Sequence, residues 1–265
     1  MEKTLSELEK NRSINILVHT NQYDISQDNR YLVPFVMYEH NEIRFGFSDK
    51  DENIIIPAKY DKIFDDFYSE DDLVRVGKRF VIDYGTEKKP RQYKYFYCGL
   101  INSSGDELIP CNRYWELFYV NLEKTLLVAH GNRQKGECAL IDIHGVEIIP
   151  YGRYTDIYQF VFNFARTQNK NGWGVIDIEG NSIIPNGEFE EIWNLDPQYP
   201  HIVVQRAGVR YTLPIEVLIK LRQELKTTGS INTPVEQYLN YQQYLQRDFT
   251  RGVTMSLDWL GEEKK

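Results

Sequence analysis

Apolar residues recur along this chain with a period of two, in short runs that close on Ile-Ile-Pro. In Trp173-Gly174-Val175-Ile176-Asp177-Ile178-Glu179-Gly180-Asn181-Ser182-Ile183-Ile184-Pro185, Val175, Asp177 and Glu179 alternate against Ile176 and Ile178. That alternation predicts a strand, and the polar residues with Gly180 predict a turn before Ile183 and Ile184. Residues 45–57, 98–110 and 138–150 write the same phrase, with eleven positions from the Gly or Ala slot to the Pro each time. An aromatic follows at Tyr60, Tyr114, Tyr154 and Phe189, and an aliphatic three positions on at Ile63, Leu117, Ile157 and Ile192. Gly105, Gly145 and Gly180 share one turn position, where a backbone with positive φ is expected. Glu52 stands there in the first copy, so that turn is expected to be of another type. Each Pro is expected at the end of its strand, where a ladder hydrogen bond is not needed.

A further strand is predicted before each phrase, at Leu32-Val33-Pro34-Phe35-Val36-Met37, Leu73-Val74-Arg75-Val76, Leu126-Leu127-Val128-Ala129, the run from Phe160 to Ala165, and Ile202-Val203-Val204-Gln205. The unit is then a three-stranded antiparallel meander with one apolar face, which it cannot bury alone, so neighbouring units must share a core. The prolines lie 53, 40 and 35 residues apart. The long first interval reads as an extended hairpin that includes Phe80-Val81-Ile82-Asp83, with a charged tip at Glu87-Lys88-Lys89-Pro90-Arg91. The expected fold is all-β: an array of such meanders, open or solenoid-like, with a small propeller as the alternative. Its segments are an N-terminal cap (1–29), the repeat domain (30–213) and a C-terminal helical appendage (214–265).

The period changes to that of a helix after Leu213. Val217, Leu218, Leu221 and Leu225 recur at helical spacing after Pro214, and Thr227-Thr228-Gly229-Ser230 ends the run. Thr233-Pro234-Val235-Glu236 opens a second helix whose stripe continues through Tyr238 and Leu239 to Leu245, and Thr4-Leu5-Ser6-Glu7 opens a short one near the N-terminus. An apolar tail with Val253, Met255, Leu257, Trp259 and Leu260 follows.

The sequence resembles the WG-repeat proteins of bacteria. Trp173-Gly174-Val175-Ile176-Asp177 and Ile55-Ile56-Pro57-Ala58-Lys59-Tyr60-Asp61-Lys62-Ile63 carry the likeness, which extends over about residues 30–213. Phe45, Cys98 and Cys138 replace the naming Trp, and Ala139 replaces one Gly. The resemblance implies a small β repeat used for binding or scaffolding, with no shared reaction and no catalytic residues to carry over.

Net charge of −8 argues against a nucleic-acid backbone as partner. Met1-Glu2-Lys3-Thr4-Leu5-Ser6-Glu7 lacks a signal-peptide core and no segment reaches membrane-spanning length, so the expected location is the cytoplasm, with no membrane partner. Cys98, Cys111 and Cys138 have no metal-ligand spacing and read as core thiols. The five histidines show no HExxH or HxH spacing, and neither a phosphate loop nor a G-x-S-x-G elbow occurs. Asp65, Asp66, Glu70, Asp71 and Asp72 lack the calcium-loop pattern. Asn102, Asp142 and Asp177 occupy equivalent positions, which points to capped turns rather than a catalytic dyad.

The expected function is therefore non-enzymatic, with no cofactor and no metal. It is a protein-binding or scaffolding module, whose partner is another protein or a second copy engaged through the C-terminal helices. Glycan or cell-wall binding is the alternative, and a hydrolase using acids between repeats is the remotest. Trp115, Tyr119, Trp193 and Trp259 are the candidate partner-binding residues, because they depart from the repeat and aromatic side chains make good interface anchors. Trp173, a consensus residue, is expected in the core.

Overall fold

The computed structural model describes residues 17–19, 29–39, 42–83, 85, 89, 91–131, 136–193 and 195–239. The helix expected at residues 4–10, the far end of the last helix and the tail with Trp259 lie outside them. The described chain is mostly β, arranged as five small antiparallel sheets with two helices and no closed barrel.

The first sheet holds β1 (Leu17–His19), β2 (Val33–Glu39), β3 (Glu42–Ser48) and β4 (Ile54–Tyr60), in that order. The second holds β5 (Lys62–Ile63), β6 (Val74–Asp83), β7 (Gln92–Ile101) and β8 (Glu107–Tyr114). In the third are β9 (Glu116–Tyr119), β10 (Leu126–His130), β11 (Cys138–Asp142) and β12 (Glu147–Tyr154). β13 (Asp156–Ile157), β14 (Phe164–Asn169), β15 (Gly172–Asp177) and β16 (Ser182–Phe189) make the fourth. β17 (Glu191–Ile192), β18 (His201–Arg206) and β19 (Val209–Pro214) make the fifth.

The expected three-stranded unit is thus short by one strand. The aliphatic that closes each sequence phrase starts the next sheet, as a short edge strand. Ile63 pairs with Val76, Ile157 with Thr167 and Ile192 with Val204. Phrase and sheet are out of step by that strand.

The turn is one design in all four copies. Asp49, Asn102, Asp142 and Asp177 each donate their N–H four residues on, to the carbonyls of Asn53, Asp106, Val146 and Asn181. The N–H groups of Glu52, Gly105, Gly145 and Gly180 close back onto the same four residues. Side-chain Oδ1 atoms of Asp49, Asp142 and Asp177 accept from the backbone two and four residues on, which satisfies donors that no strand partner reaches. Glu52 does not change the turn: it takes φ 64 beside 85, 78 and 84 at the three glycines. The first copy therefore bears the strain that glycine avoids.

Each Pro also lies inside its strand rather than at the end. Pairing between β3 and β4 runs Phe45↔Tyr60 and Phe47↔Ile56 with a bulge between, and the same shift recurs in the next three sheets. Pro57 is tolerated because β4 is an edge strand at an irregular register. The bulge brings backbone close to the Gly slot. A Cβ on Gly46 or Gly99 would stand 2.5 Å from the carbonyl oxygen of Ile56 or Ile109. The "one apolar face" reading fails as well. Val175 and Ile176 are adjacent on β15 and both fully buried, in different clusters. A strand points successive side chains to opposite faces, so this sheet is covered on both.

Two compact units divide the chain: residues 1–118, 129–134 and 142–146, and residues 119–128, 135–141 and 147–265. The first unit centres on Phe47, Ile56, Tyr60, Phe67, Val74, Val76 and Ile101, with Phe47 and Phe67 meeting edge to face at 5.0 Å. In the second, one cluster gathers Val128, Leu140, Ile149, Tyr154, Phe160 and Ile176, and another Val175, Ile184, Phe189, Ile202, Val204 and Leu213.

The helices cover this last cluster. α1 (Ile215–Thr228) inserts Ile215, Val217, Leu218 and Leu221, and α2 (Glu236–Leu239) inserts Leu239. Gly229 ends α1 at φ 77, its N–H donating to the Leu225 carbonyl. Among the described residues α1, not a fourth strand, follows β19. Val204 faces Tyr211 where Thr167 faces Gly174, so Tyr211 stands in the Gly slot of the fifth sheet.

Candidate interaction site

The second sheet departs most from the repeat. β6 and β7 pair in unbroken register from Val74↔Ile101 to Asp83↔Gln92, well beyond the span that supplies core residues. The outer part, from Lys78 to Tyr97, is an arm. Cross-strand pairing puts Lys78, Phe80, Ile82, Tyr93, Tyr95 and Tyr97 on its front face and Arg79, Val81, Lys94 and Phe96 on its back.

On the front, Phe80 stacks on Tyr97 with centroids 4.0 Å apart and planes at 20°, and lies 5.7 Å from Tyr95. Trp115 completes the row, stacked on Tyr95 at 5.2 Å and tilted against Phe80 at 5.5 Å. Its backbone N–H is fixed by the His130 carbonyl at 2.8 Å, which sets where the indole goes. Phe80, Tyr95, Tyr97 and Trp115 are half-buried and Tyr93 is 49% exposed. Tyr97 also packs against the core of its unit, so the row runs from the core edge out to exposed Tyr93.

The back face ends in a groove of about 540 Å³, whose lining includes Phe45, Asp61, Lys62, Phe64, Asp65, Asp66 and Phe96. Its acids are neutralised locally. Asp61 accepts from Arg44 and Arg79, Asp65 takes the Nε and Nη2 of Arg75, and Asp66 pairs with Arg30 at 3.3 Å. The Lys62 ammonium sits over Phe64 at 4.5 Å and Phe96 at 5.4 Å.

The other sequence candidates lie in the second unit or outside the described residues. Tyr119 lies under Lys124, with the ammonium 6.0 Å from the ring centre, and Trp193 under Arg210 at 4.9 Å; both are half-buried. Trp259 is outside the described residues. Trp173 is not a fully buried core residue. It is half-buried, and the Arg166 guanidinium is held between its ring, at 4.4 Å, and that of Tyr158, at 3.9 Å. Arg166 Nη1 then donates to the Ile192 carbonyl, as Arg75 Nη1 does to that of Leu117. The naming Trp is thus half of a clamp for an arginine that fastens the next edge strand. Phe80, Tyr95 and Tyr97 were missed from sequence. Tyr93, Tyr95 and Tyr97 at every second position were the available signal.

Burial pushes the thiols of Cys98 and Cys138 up to about 12 and that of Cys111 up to about 11, so all three stay protonated at neutral pH. Burial, with Glu107 beside it, holds the Tyr60 phenol well above its ordinary value. Among the described residues no helix is long and apolar enough to cross a membrane.

Residues 45–79, from the Trp slot of the first copy through the inner half of β6, match the family model of the WG containing repeat. Residues 45–79 are a WG-type repeat. The matched span is a single copy, and its turn and bulge recur three more times along the chain. No curated protein and no solved structure matches it.

Proposed function

We propose that this chain is a non-enzymatic protein-binding module of the cytoplasm, and that the front face of the β6–β7 arm with Trp115 is its docking surface. One observation carries the reading. The arm extends past what the repeat core uses, yet it carries a row of half-open aromatic rings. Large rigid rings with polar edges give contact area at low entropic cost, which suits an interface hot spot. A glycan reading asks for ring faces open to a sugar, whereas Phe80 and Tyr97, and Tyr95 and Trp115, turn theirs on each other. Self-association through the helices is disfavoured, because the stripe of α1 is spent on its own unit. Buried free thiols agree with a reducing compartment.

The test is retention of proteins from a cytosolic extract on the immobilised chain, compared with Trp115→Ala and with Tyr199→Ala, an exposed aromatic of the second unit. A partner lost with the first change and kept with the second is the expected result. Retention that ignores Trp115, or no partner at all, would overturn the proposal.

A further inference from the structure

The arm carries charge of one sign in a chain of the other. Between Val74 and Ile101 there are seven Lys and Arg against two acids, while the whole chain has net charge −8. Three of those cations are used internally: Arg75 on Asp65, Lys78 on Glu107 and Arg79 on Asp61. Lys89, Arg91 and Lys94 are exposed and make no ion pair among the described residues. Lys62, at the foot of the back face, likewise has aromatic rings beneath it and no carboxylate partner among the described residues. Asp83, the described acid of the arm, accepts the Gly85 N–H. Between Lys62 and Lys94 the back face carries Phe64, Phe96 and Val81, the last 51% exposed, beside Arg79, whose charge is taken up by Asp61 and Glu42.

Resting on the reading of the arm as a docking element, we infer that its back face captures an acidic peptide segment of another protein. Lys62 and Lys94 take carboxylates of the peptide, Lys89 and Arg91 add attraction at the tip, and apolar side chains in between lie against Phe96 and Val81. Opposed charge steers the encounter, and the apolar strip supplies the contact that charge alone does not. A nucleic acid is the poorer fit. Its bases would need open ring faces to stack on, and the arm's ring row is stacked on itself.

Fluorescence anisotropy of the full chain tests this, with a labelled peptide of about twelve residues alternating Glu and Leu, the same peptide with Lys for Glu, and a single-stranded oligothymidylate. Binding of the acidic probe alone is expected, weakening about tenfold between roughly 50 and 300 mM salt. The double change Lys62→Glu with Lys94→Glu should weaken it at least about tenfold, while Lys170→Glu, an exposed cation of the second unit, should leave it unchanged. Both variants alter exposed side chains, and an unshifted thermal midpoint confirms their folding. An acidic probe that fails to bind, that binds the double variant equally, or that is outcompeted by the oligonucleotide overturns the inference. Trp115-dependent partner retention would then still stand, since it reads the front face.

Discussion

Asp142 and Asp177 hold equivalent turns with the same two backbone bonds, yet their surroundings differ. Asp142 caps its turn with the side chain half-buried, and Asn102 does the same task in the second copy. Asp142→Asn should therefore change unfolding free energy by less than about 0.5 kcal/mol. Asp177 is fully buried and also receives Arg222 Nε at 3.1 Å. Asp177→Ala removes the cap and leaves the partly buried Arg222 guanidinium with Glu179 as its remaining carboxylate, at a cost of about 2–4 kcal/mol. Urea unfolding of the two variants gives the comparison, and equal midpoints would contradict it. The thiols make a second prediction at this scale. With burial holding Cys98 and Cys138 up to about 12, the folded chain should resist iodoacetamide at neutral pH, and the urea-unfolded chain should take up label at every cysteine. Mass spectrometry reads the difference.

At the scale of elements, α1 is fastened by charge as well as by its apolar stripe. Lys226, joined by Arg222, holds the Glu179 carboxyl below its ordinary 4.5. A carboxyl depressed in the folded state adds stability that is present above 4.5 and lost as pH falls through the folded value. Glu179→Gln should thus lose less thermal stability than the parent between about pH 7 and pH 3. Equal losses would show that the helix docks without this carboxylate. The arm is the opposite case, an element that the core does not need. Replacing residues 82–93 by an Asn-Gly turn keeps the Val81↔Lys94 pair and should cost less than about 1 kcal/mol. A collapse of the near-ultraviolet circular dichroism in that variant would mean that the arm is structural.

For the molecule as a whole, each unit must find its own core. The second unit finishes its last cluster with helices, and Tyr211 stands there in the slot that is Gly in the fourth sheet. A chain ending at residue 214 should lose Ile215, Val217, Leu218 and Leu221 from that cluster and leave Val204 and Leu213 uncovered. Each lost side chain is worth roughly 1.5–3 kcal/mol, so a much lower melting midpoint and strong binding of an apolar dye are expected. A truncated chain that melts like the parent would show that α1 is only an ornament of the fold.

What the sequence by itself determined was local. The places of the four turns, most strands, the long hairpin and the bounds of α1 follow from period and from sterics at one residue. These need no distant partner. The strand expected over residues 160–165 starts only at Phe164, after a turn at Phe162 and Asn163. The tertiary structure decided what depends on register and on partners far along the chain. It moved Ile63, Leu117, Ile157 and Ile192 into the following sheet, because an edge strand belongs to whatever strand it bonds with. It covered β15 on both faces, since consecutive apolar residues point opposite ways and each met a neighbouring layer. It placed Trp115, Phe80 and Tyr95 side by side, although 35 positions separate the first two in sequence. Alternation could announce a row of tyrosines on one face, but only the fold could bring Trp115 to it and leave the row at the surface.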